Sequence, residues 1–327
     1  MTGFDAALRA AFGDRAVASD APLAPLTTFR VGGPADWLVT LHAGSDVVRA
    51  ITLAREHSVP LTVIGGGSNL LVADAGVRGL VVRVHGGGVR MAGASTLRAD
   101  AGVTINGLVR WTITRGLAGL ETWAGTPGTV GGAVYGNAHF QGRLVSELIT
   151  AVTLVDREGH VSEVPAADLG FSYDYSRLHA TREIVISADF RTQPGDPVAL
   201  RTAARESLAF RKRTQPLEKA SAGCIFQNPD PSREAIPAGI PPSAGALVDR
   251  AGLKGAAAGG AHVSSRHGNF IVNDGQATAD EIAGLIERCR STVRERYGVT
   301  LRDEIVRLGF GDAGTPRQEE TNVDAEG

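Results

Sequence analysis

The sequence has few cysteines, few aromatic residues and no long apolar segment. Its 327 residues include two cysteines, Cys224 and Cys289, and 5% aromatic residues. Two cysteines this far apart exclude a disulfide scaffold and a cysteine-rich zinc site, and we predict no metal centre. No run of about 18 apolar residues is present, and the N-terminus lacks the apolar core of a signal peptide. We therefore expect a soluble cytoplasmic protein that does not act at a membrane.

The chain also lacks an excess of charge of either sign. It has 33 lysine and arginine residues against 35 acidic residues, which gives a formal net charge of −2. Nucleic-acid-binding domains carry a basic face, and this composition does not favour one. We expect no nucleic-acid partner. The hydrophobic pattern of the sequence leaves no exposed apolar stripe that would need a partner subunit, so we also predict a monomer.

Glycine, by contrast, is abundant, with 42 residues. The first glycine-rich segment is GGGSN at 65–69, directly after the predicted strand 61–64. A bare glycine backbone can point several N–H groups at one anion. The dinucleotide-binding pattern is not met, because Leu70 stands where its last glycine belongs and no helical pattern follows. By itself, the segment is either a structural turn or part of a ligand site.

The second glycine-rich segment is AGTPGTVGGAVYGNA at 124–138. Its small residues and its proline are typical of the start of a helix. Two such segments in one half of the chain favour a ligand that contains a pyrophosphate and large planar groups. The alternative, two tight turns of a glycine-rich protein, stays open on this evidence.

The predicted elements change in character near residue 197. Before it, strands and helices alternate irregularly, beginning with an amphipathic helix over 5–17, and do not follow the regular order of a doubly wound sheet. After it, a helix over 198–210 is followed by a proline-rich loop at 229–243 and by a helix that opens with a capping box at 278–281. These patterns predict an α+β protein that ends in a disordered polar tail over 311–327.

Two further positions have side chains that could carry chemistry. Cys224 lies among small residues, downstream of a basic segment at 211–213. A thiol near cations tends to have a lowered pKa and can exchange a proton near neutral pH. The alternative is a buried, inert cysteine, which we expect for Cys289 on the apolar face of its helix. Glu304 opens the predicted strand 304–308, and periodicity does not decide between a catalytic acid and a solvated strand end.

Seven motifs, taken in order, resemble one known family. They are TTFRVGGPA (27–35), VIGGGSNLLV (63–72), AGTPGTVGGAVYGNA (124–138), SAGCIFQNP (221–229), SAGALVDRAGLKG (243–255), HGNFIVN (267–273) and LxxEIxxLG (301–309). Over residues 25–310 the chain is similar to the UDP-N-acetylenolpyruvoylglucosamine reductases, flavoenzymes of bacterial cell-wall synthesis.

The resemblance implies a fold and a domain organisation. The fold is a split FAD-binding module of the vanillyl-alcohol-oxidase type, rich in α/β structure, followed by a substrate-binding α+β domain. The implied units are an N-terminal helical extension (1–24), an FAD-binding domain of two subdomains (25–196), a substrate-binding domain (197–310) and the tail (311–327).

The resemblance also implies the reaction. NADPH reduces a non-covalently bound FAD, and the reduced flavin converts UDP-N-acetylglucosamine enolpyruvate to UDP-N-acetylmuramate. Negative charge that develops beside the substrate carboxylate must be stabilised and then protonated. The family's proton donor falls on Cys224 and its catalytic glutamate on Glu304. Arg211 matches a substrate position and suits the UDP diphosphate.

The remaining positions implied by the resemblance are contacts to the two ligands. Further substrate contacts fall on Tyr173, Gly223 and Asn228. Cofactor contacts fall on Gly65, Gly66, Gly67, Ser68, Asn69, Leu70, Gly125, Thr126, Pro127, Gly128, Gly131, Gly132, Asn137 and Ala138.

One residue departs from the family pattern in a way that affects the chemistry. The family carries an arginine in F-x-Y-R-x-S that holds the substrate carboxylate, whereas Asp174 occupies that position here. An aspartate would repel the carboxylate. Arg177 is our candidate replacement, although strand alternation points it in the opposite direction to residue 174. A milder departure is Thr214, where the family has a lysine.

The sequence leaves three functions to consider. The leading one is the reductase. The second is a flavoprotein of the same fold in which enolpyruvyl reduction is altered or lost, and Asp174 is its main support. The third is a non-catalytic UDP-sugar-binding protein, in which two glycine-rich segments suited to FAD would have no role.

Overall fold

The computed structural model describes residues 3–311, so the predicted tail lies outside the described residues except for Gly311. The α-helices are α1 (Gly3–Phe12), α2 (Gly44–Glu56), α3 (Ile105–Thr114), α4 (Val130–Tyr135), α5 (Leu178–Thr181), α6 (Pro197–Thr214), α7 (Ala244–Arg250) and α8 (Ala279–Tyr297). Within residues 3–311, no helix has both the length and the apolar character needed to cross a membrane.

The β-strands are mostly short and fall into several sheets. They are β1 (Val17–Pro22), β2 (Pro34–Leu41), β3 (Leu61–Ile64), β4 (Leu70–Val72), β5 (Val77–Val84), β6 (Val89–Met91), β7 (Thr96–Asp100), β8 (Leu117–Ala118), β9 (His139–Phe140), β10 (Arg143–Leu144), β11 (Ile149–Val155), β12 (Val161–Pro165), β13 (Ile184–Arg191), β14 (Gln193–Pro194), β15 (Ala257–Ala258), β16 (Ala261–Val263), β17 (Ile271–Asn273) and β18 (Val306–Leu308).

A four-stranded sheet with the order β1-β2-β5-β3 opens the fold. Both β2 and β3 run parallel to β5, and α2 lies in the connection between them. Leu80, Val81 and Val82 of β5 are fully buried, as expected of a central parallel strand that is covered on both faces. The first glycine-rich segment leaves this sheet directly after β3.

The N-terminal segment is only partly helical, which corrects our prediction of a helical extension over 1–24. The predicted helix over 5–17 ends at Phe12, before Gly13, whose φ of 83° lies in the left-handed region. Val17–Pro22 then forms β1, which pairs antiparallel with β2. The segment therefore contributes an edge strand to the first sheet.

A five-stranded antiparallel sheet with the order β12-β11-β13-β7-β6 forms the second layer. Its buried side chains, including Val152 and Phe190, belong to the same hydrophobic cluster as Val39 and Leu80 of the first sheet. The helix that follows the second glycine-rich segment, α4, packs on β13. A shared core thus supports both glycine-rich segments.

The C-terminal part has its own core around α7, α8 and the sheet β15-β16-β17. Cys289 of α8 is 1% exposed in that core, as we predicted. The predicted capping box is also present, because Thr278 Oγ1 accepts a hydrogen bond from the Glu281 N–H and the Glu281 carboxylate accepts one from the Thr278 N–H. The helix predicted over 198–210 extends to Thr214.

The last strand returns to the first part of the chain. β18 pairs in parallel with β4, with Val306 opposite Leu70. Glu304 lies shortly before β18 and Asn69 directly before β4, so the pairing brings the end of the fold to the first glycine-rich segment. The side-chain amide of Asn69 donates to the Glu304 carbonyl oxygen at 3.0 Å. The predicted strand 304–308 begins at Val306, which leaves Glu304 in the loop.

Candidate active site

A cavity of about 1350 Å³ lies where both glycine-rich segments meet the segment 221–228 and the end of the fold. Common small-molecule sites occupy roughly 300–1,000 Å³, so this cavity has room for more than one ligand. Most of the predicted residues line it: Gly65, Gly66, Gly67, Ser68, Asn69, Leu70, Thr126, Pro127, Gly128, Gly131, Gly132, Ala138, Arg211, Gly223, Cys224, Asn228 and Glu304. Four predicted residues lie outside its lining: Gly125, Asn137, Tyr173 and Arg177.

The two glycine-rich segments lie against each other at one end of the cavity. A Cβ on Gly66 would stand 2.8 Å from the Cα of Gly128, and a Cβ on Gly65 would stand 2.4 Å from the Thr129 Oγ1. Real Cβ atoms essentially never approach other atoms this closely. Glycine is therefore required here by the packing of the two segments as well as by the approach of a ligand.

The first segment also leaves backbone donors available for a ligand. Among the described residues, no protein acceptor receives the N–H groups of Gly66, Gly67 and Ser68, and all three residues line the cavity. Neighbouring N–H groups without protein partners form an anion-binding concavity. The Gly67 carbonyl has a different role, because it accepts from the Thr28 N–H at 3.0 Å and holds the segment in place.

Two predicted cofactor residues act within the protein instead. Asn137 is fully buried, and its side-chain amide donates to the Ser172 carbonyl oxygen at 2.7 Å. The Gly125 N–H donates to Asn106 Oδ1 at 2.7 Å, and a Cβ on Gly125 would stand 2.8 Å from Leu208 of α6. Both residues shape the second segment from outside the cavity.

Cys224 lines the same cavity, and we call the region around Cys224, Glu304 and Asp174 the reaction end. Its segment is fixed by Asn269, whose Oδ1 accepts from the Phe226 N–H at 2.9 Å. Burial raises the pKa of the Cys224 thiol well above its usual range, and the neighbouring Glu304 and Asp174 raise it further. We expected a lowered pKa, so this prediction was wrong. The thiol stays protonated at neutral pH and can donate its proton.

Glu304 faces the same end of the cavity. Its backbone N–H donates to the Ile225 carbonyl oxygen at 2.8 Å, which holds it beside Cys224. Burial raises the pKa of the Glu304 carboxyl well above its usual range, and the charge of Asp174 adds to this effect. The reaction end therefore carries two acids, one thiol and one carboxyl, and burial favours the protonated form of both.

Asp174, which departs from the family pattern, is buried at the reaction end with 8% of its surface exposed. Its φ of 51° lies in the left-handed region, which aspartate tolerates better than most residues. Its Oδ1 lies 2.7 Å from Nδ1 of His139, whereas its Oδ2 is buried without a hydrogen-bond partner. Single ligand atoms of His139, Asp174 and Glu304 all lie within 4.8 Å of one another, a cluster that we did not predict.

Tyr173 and Asn228, predicted as substrate residues, lie beside this cluster. The Tyr173 hydroxyl accepts a hydrogen bond from the Asn228 amide at 3.3 Å and lies 3.5 Å from Nε2 of His139. Burial of that hydroxyl raises the pKa of Tyr173. Asn228 Oδ1 in turn accepts from the Ala244 N–H at the start of α7. A hydrogen-bonded connection thus joins α7 to the reaction end.

Arg177 is directed elsewhere. Its guanidinium contacts the Glu183 carboxylate at 3.2 and 3.1 Å, and its Nη1 donates to the Asp168 carbonyl oxygen at 3.0 Å. It does not line the cavity. This corrects our expectation that Arg177 takes the place of the family arginine.

Arg211 lies in the cavity wall and is 5% exposed. Its guanidinium lies 3.5 Å from the ring centroid of Phe140, and its Nη2 donates to Thr126 Oγ1 at 2.7 Å. Burial lowers the pKa of Arg211 to about 10. Its Nε is buried without a hydrogen-bond partner. Arg211 therefore ties α6 to the second glycine-rich segment, and its binding of a diphosphate stays a prediction.

Comparison with known proteins adds independent findings. Residues 35–165 match the FAD binding domain family, and residues 215–308 match the family of the UDP-N-acetylenolpyruvoylglucosamine reductase C-terminal domain. The chain is 40% identical over 296 residues to UDP-N-acetylenolpyruvoylglucosamine reductase of Synechococcus sp. (strain WH7803), which covers 88% of this chain and 92% of that protein. It is 38% identical over 296 residues to the enzyme of that name from Bacillus velezensis, with the same shares covered.

A solved structure is similar over nearly the whole fold. The crystal structure of UDP-N-acetylenolpyruvylglucosamine reductase from Thermus caldophilus matches with a TM-score of 0.73 and 33% identity, over 89% of this chain and 98% of that chain. With the FAD-binding match, this confirms the predicted α+β fold, in which an FAD-binding module precedes a second domain.

Proposed function

The chain belongs to the UDP-N-acetylenolpyruvoylglucosamine reductase family, and we propose that Cys224 and Glu304 carry the chemical step of that reduction. The protein is an NADPH-dependent FAD enzyme that reduces UDP-N-acetylglucosamine enolpyruvate to UDP-N-acetylmuramate in peptidoglycan biosynthesis. The observation that supports the proposal is that Cys224 and Glu304, whose pKa values burial raises, line one cavity together with the glycine-rich segments.

The glycine-rich end of the cavity suits FAD. When bound, FAD supplies the chemistry of taking a hydride from NADPH and passing it to the substrate. The N–H groups of Gly66, Gly67 and Ser68 have no protein acceptor and suit the pyrophosphate of the cofactor. The segment at 65–69 contains no cysteine or histidine that could bond the flavin covalently. We therefore assign a non-covalent cofactor to this end.

The reaction end supplies a proton and stabilises negative charge. When a hydride reaches the terminal carbon of the enolpyruvyl group, negative charge develops on the adjacent carbon and its carboxylate. Cys224, held protonated by burial, gives its proton to that adjacent carbon. Glu304, held neutral in the same way, donates a hydrogen bond to the developing anion instead of repelling it.

Four residues near the reaction end form the proposed substrate site. Gly223 lines the cavity beside Cys224 and has a φ of 83°, which favours glycine. Arg211 lies in the wall toward the second glycine-rich segment. Asn228 and Tyr173 hydrogen-bond to each other at the side of the cluster. We assign the UDP-sugar portion of the substrate to these residues.

Two measurements on the purified protein test the proposal. The absorption spectrum should show flavin bands, and NADPH oxidation should depend on added UDP-N-acetylglucosamine enolpyruvate. A colourless protein would contradict the whole proposal. Flavin bands without substrate-dependent NADPH oxidation would support the alternative that Asp174 raised, a related flavoprotein with altered chemistry.

We also propose that the protein is a cytoplasmic monomer. The proposal derives from two features of the sequence, which has no run of about 18 apolar residues and leaves no exposed apolar stripe unassigned. Light scattering of the purified protein tests the monomer, and fractionation of cells that express it tests the cytoplasmic location. A stable dimer, or recovery outside the cytoplasmic fraction, would contradict the respective statement.

A further inference from the structure

His139 and Asp174 form a side-chain pair that the proposed function leaves without a role. His139 belongs to β9, and Asp174 lies in a turn closed by reciprocal backbone hydrogen bonds between Ser172 and Tyr175. Both residues line the cavity, with 24% of the His139 side chain and 8% of the Asp174 side chain exposed. The imidazole is therefore the more accessible member of the pair.

The substrate carboxylate needs a partner at the reaction end that is not an acid. Asp174 carries one buried oxygen without a partner, and the substrate would bring a second carboxylate to the same place. Arg177, our candidate for this role, contacts Glu183, and Arg211, assigned to the diphosphate, contacts Thr126 and Phe140. His139 is accessible from the cavity and can carry a positive charge.

The separation of the pair is that of a direct contact and not of two metal ligands. Two ligand atoms on one tetrahedral zinc ion, each at about 2.0–2.1 Å, stand roughly 3.3 Å apart. The atoms Nδ1 of His139 and Oδ1 of Asp174 are only 2.7 Å apart. Asp174 therefore pairs with Nδ1, and Nε2 is the ring nitrogen that a ligand can approach.

We propose that His139, oriented by Asp174, is the residue that binds the carboxylate of the enolpyruvyl substrate. This inference rests on the proposed function. Nε2 of His139 lies 3.5 Å from the Tyr173 hydroxyl, too far for a strong hydrogen bond, so a substrate oxygen can take that position. Asp174 and Tyr173 face the imidazole from one turn, and Glu304 faces it from the end of the fold. In this arrangement Asp174 holds the imidazole in place instead of only repelling the substrate.

A comparison of two ligands tests this role directly. UDP-N-acetylmuramate carries the carboxylate and UDP-N-acetylglucosamine does not, and the affinity of the holoenzyme for each is measured by calorimetry. The wild type should prefer the carboxylate ligand. His139→Gln should weaken the affinity for UDP-N-acetylmuramate by about 10- to 100-fold and leave that for UDP-N-acetylglucosamine unchanged. An unchanged rate of flavin reduction by NADPH shows that the variant is folded.

Asp174→Asn distinguishes a positioning role of Asp174 from simple repulsion of the substrate carboxylate, because the two predict opposite changes in affinity. Asparagine accepts the same left-handed backbone conformation, so the fold should persist. If Asp174 orients the His139 imidazole toward the ligand, the affinity of Asp174→Asn for the carboxylate ligand falls, whereas if Asp174 only repels the substrate, that affinity rises. His160→Gln is the matched control, because His160 forms an exposed pair with Asp156 at 3.0 Å, and both affinities should stay unchanged.

Several results would overturn the role of His139. The wild type could bind both ligands equally well, or His139→Gln could keep the preference for UDP-N-acetylmuramate. Asp174→Asn could bind UDP-N-acetylmuramate more tightly than the wild type does. Dialysis of the wild type against a metal chelator could also abolish the preference. A wild type that prefers the carboxylate but fails to oxidise NADPH with the substrate would contradict the proposed function and leave the role of His139 supported.

Discussion

The two ends of the cavity are constructed in opposite ways. At the cofactor end, backbone lies against backbone, as at Gly66 and Gly128, and N–H groups are left for the ligand. At the reaction end, the side chains of His139, Asp174 and Glu304 meet from distant parts of the chain. The cofactor end depends on glycines, which have no side chains. The reaction end depends on side chains that alter the pKa values of their neighbours.

The electrostatic consequences differ in the same way. A row of peptide N–H groups binds an anion at any ordinary pH, because the backbone does not titrate. The groups at the reaction end do titrate, and burial sets their protonation, as the raised pKa values of Cys224 and Glu304 illustrate. Substitutions at the first end should therefore act through shape, and those at the second through charge and proton transfer.

The largest effect is expected at the cofactor end. Gly66→Val places a side chain where a Cβ would already stand 2.8 Å from Gly128 Cα, so the two glycine-rich segments must separate. We expect a folded protein that is purified without flavin, as measured by its absorption spectrum and circular dichroism. Gly284→Val is the control, because that position on α8 is open and its variant should keep the cofactor. A Gly66→Val protein with stoichiometric flavin would contradict the assigned phosphate position.

The same comparison explains what could be predicted from sequence. The glycine-rich segments and the capping box of α8 are local patterns, and the structure contains them where the sequence predicted them. The pKa of Cys224 was predicted with the wrong sign because burial raises it most, and because Glu304 and Asp174, which are distant in sequence, raise it more than Arg211 lowers it. No local pattern records such a contact.

His139 was missed for a related reason. It directly follows the predicted cofactor segment, where a single histidine carries no signal of its own. The signal that could have found it is the charge reversal at Asp174, since a lost cation in a site calls for a new one nearby. Arg177 was the closest cation in sequence, but its pairing with Glu183 could be known only from the structure.

A large effect confined to one step is expected for Cys224→Ala. A positioned proton donor typically contributes about 10²–10⁴ in rate, and this donor acts only when the substrate is reduced. Stopped-flow absorbance should therefore show normal flavin reduction by NADPH and a strongly slowed reoxidation by the substrate. Cys224→Ser should keep part of the rate, since a hydroxyl can occupy the donor position. Equal slowing of both steps would argue against the assigned role.

Glu304→Gln should slow the same step by up to about 10²–10³, because an amide N–H is a weaker hydrogen-bond donor to the developing anion than a carboxylic acid. It should also alter how stability depends on pH. The folded pKa of Glu304 is raised, so the native state holds a proton that the unfolded chain loses above its ordinary pKa of about 4.3. The wild type therefore loses stability as the pH rises, up to the folded pKa, and the glutamine variant does not share this loss.

Thermal unfolding between pH 5 and 8 checks this consequence. The Tm of the glutamine variant relative to the wild type should increase steadily across that range. Gln276→Glu, at an exposed loop position, does not add a buried acid and should leave the pH dependence as it is in the wild type. Parallel curves for Glu304→Gln and the wild type would show that the carboxyl is not held neutral in the native protein.

The smallest effect is expected for Cys289→Ala. This variant tests whether a raised thiol pKa matters for the reaction when the thiol lies outside the cavity. Burial raises the pKa of the Cys289 thiol to about 11, which resembles the shift at Cys224 in direction. Cys289 nevertheless lies in the core of α8, outside the cavity lining. Removing its sulfur should cost about 1 kcal/mol in urea unfolding, through a small cavity, and leave both flavin steps unchanged. A slowed reoxidation in this variant would mean that burial of a thiol in this domain, and not its position at the reaction end, controls the chemistry.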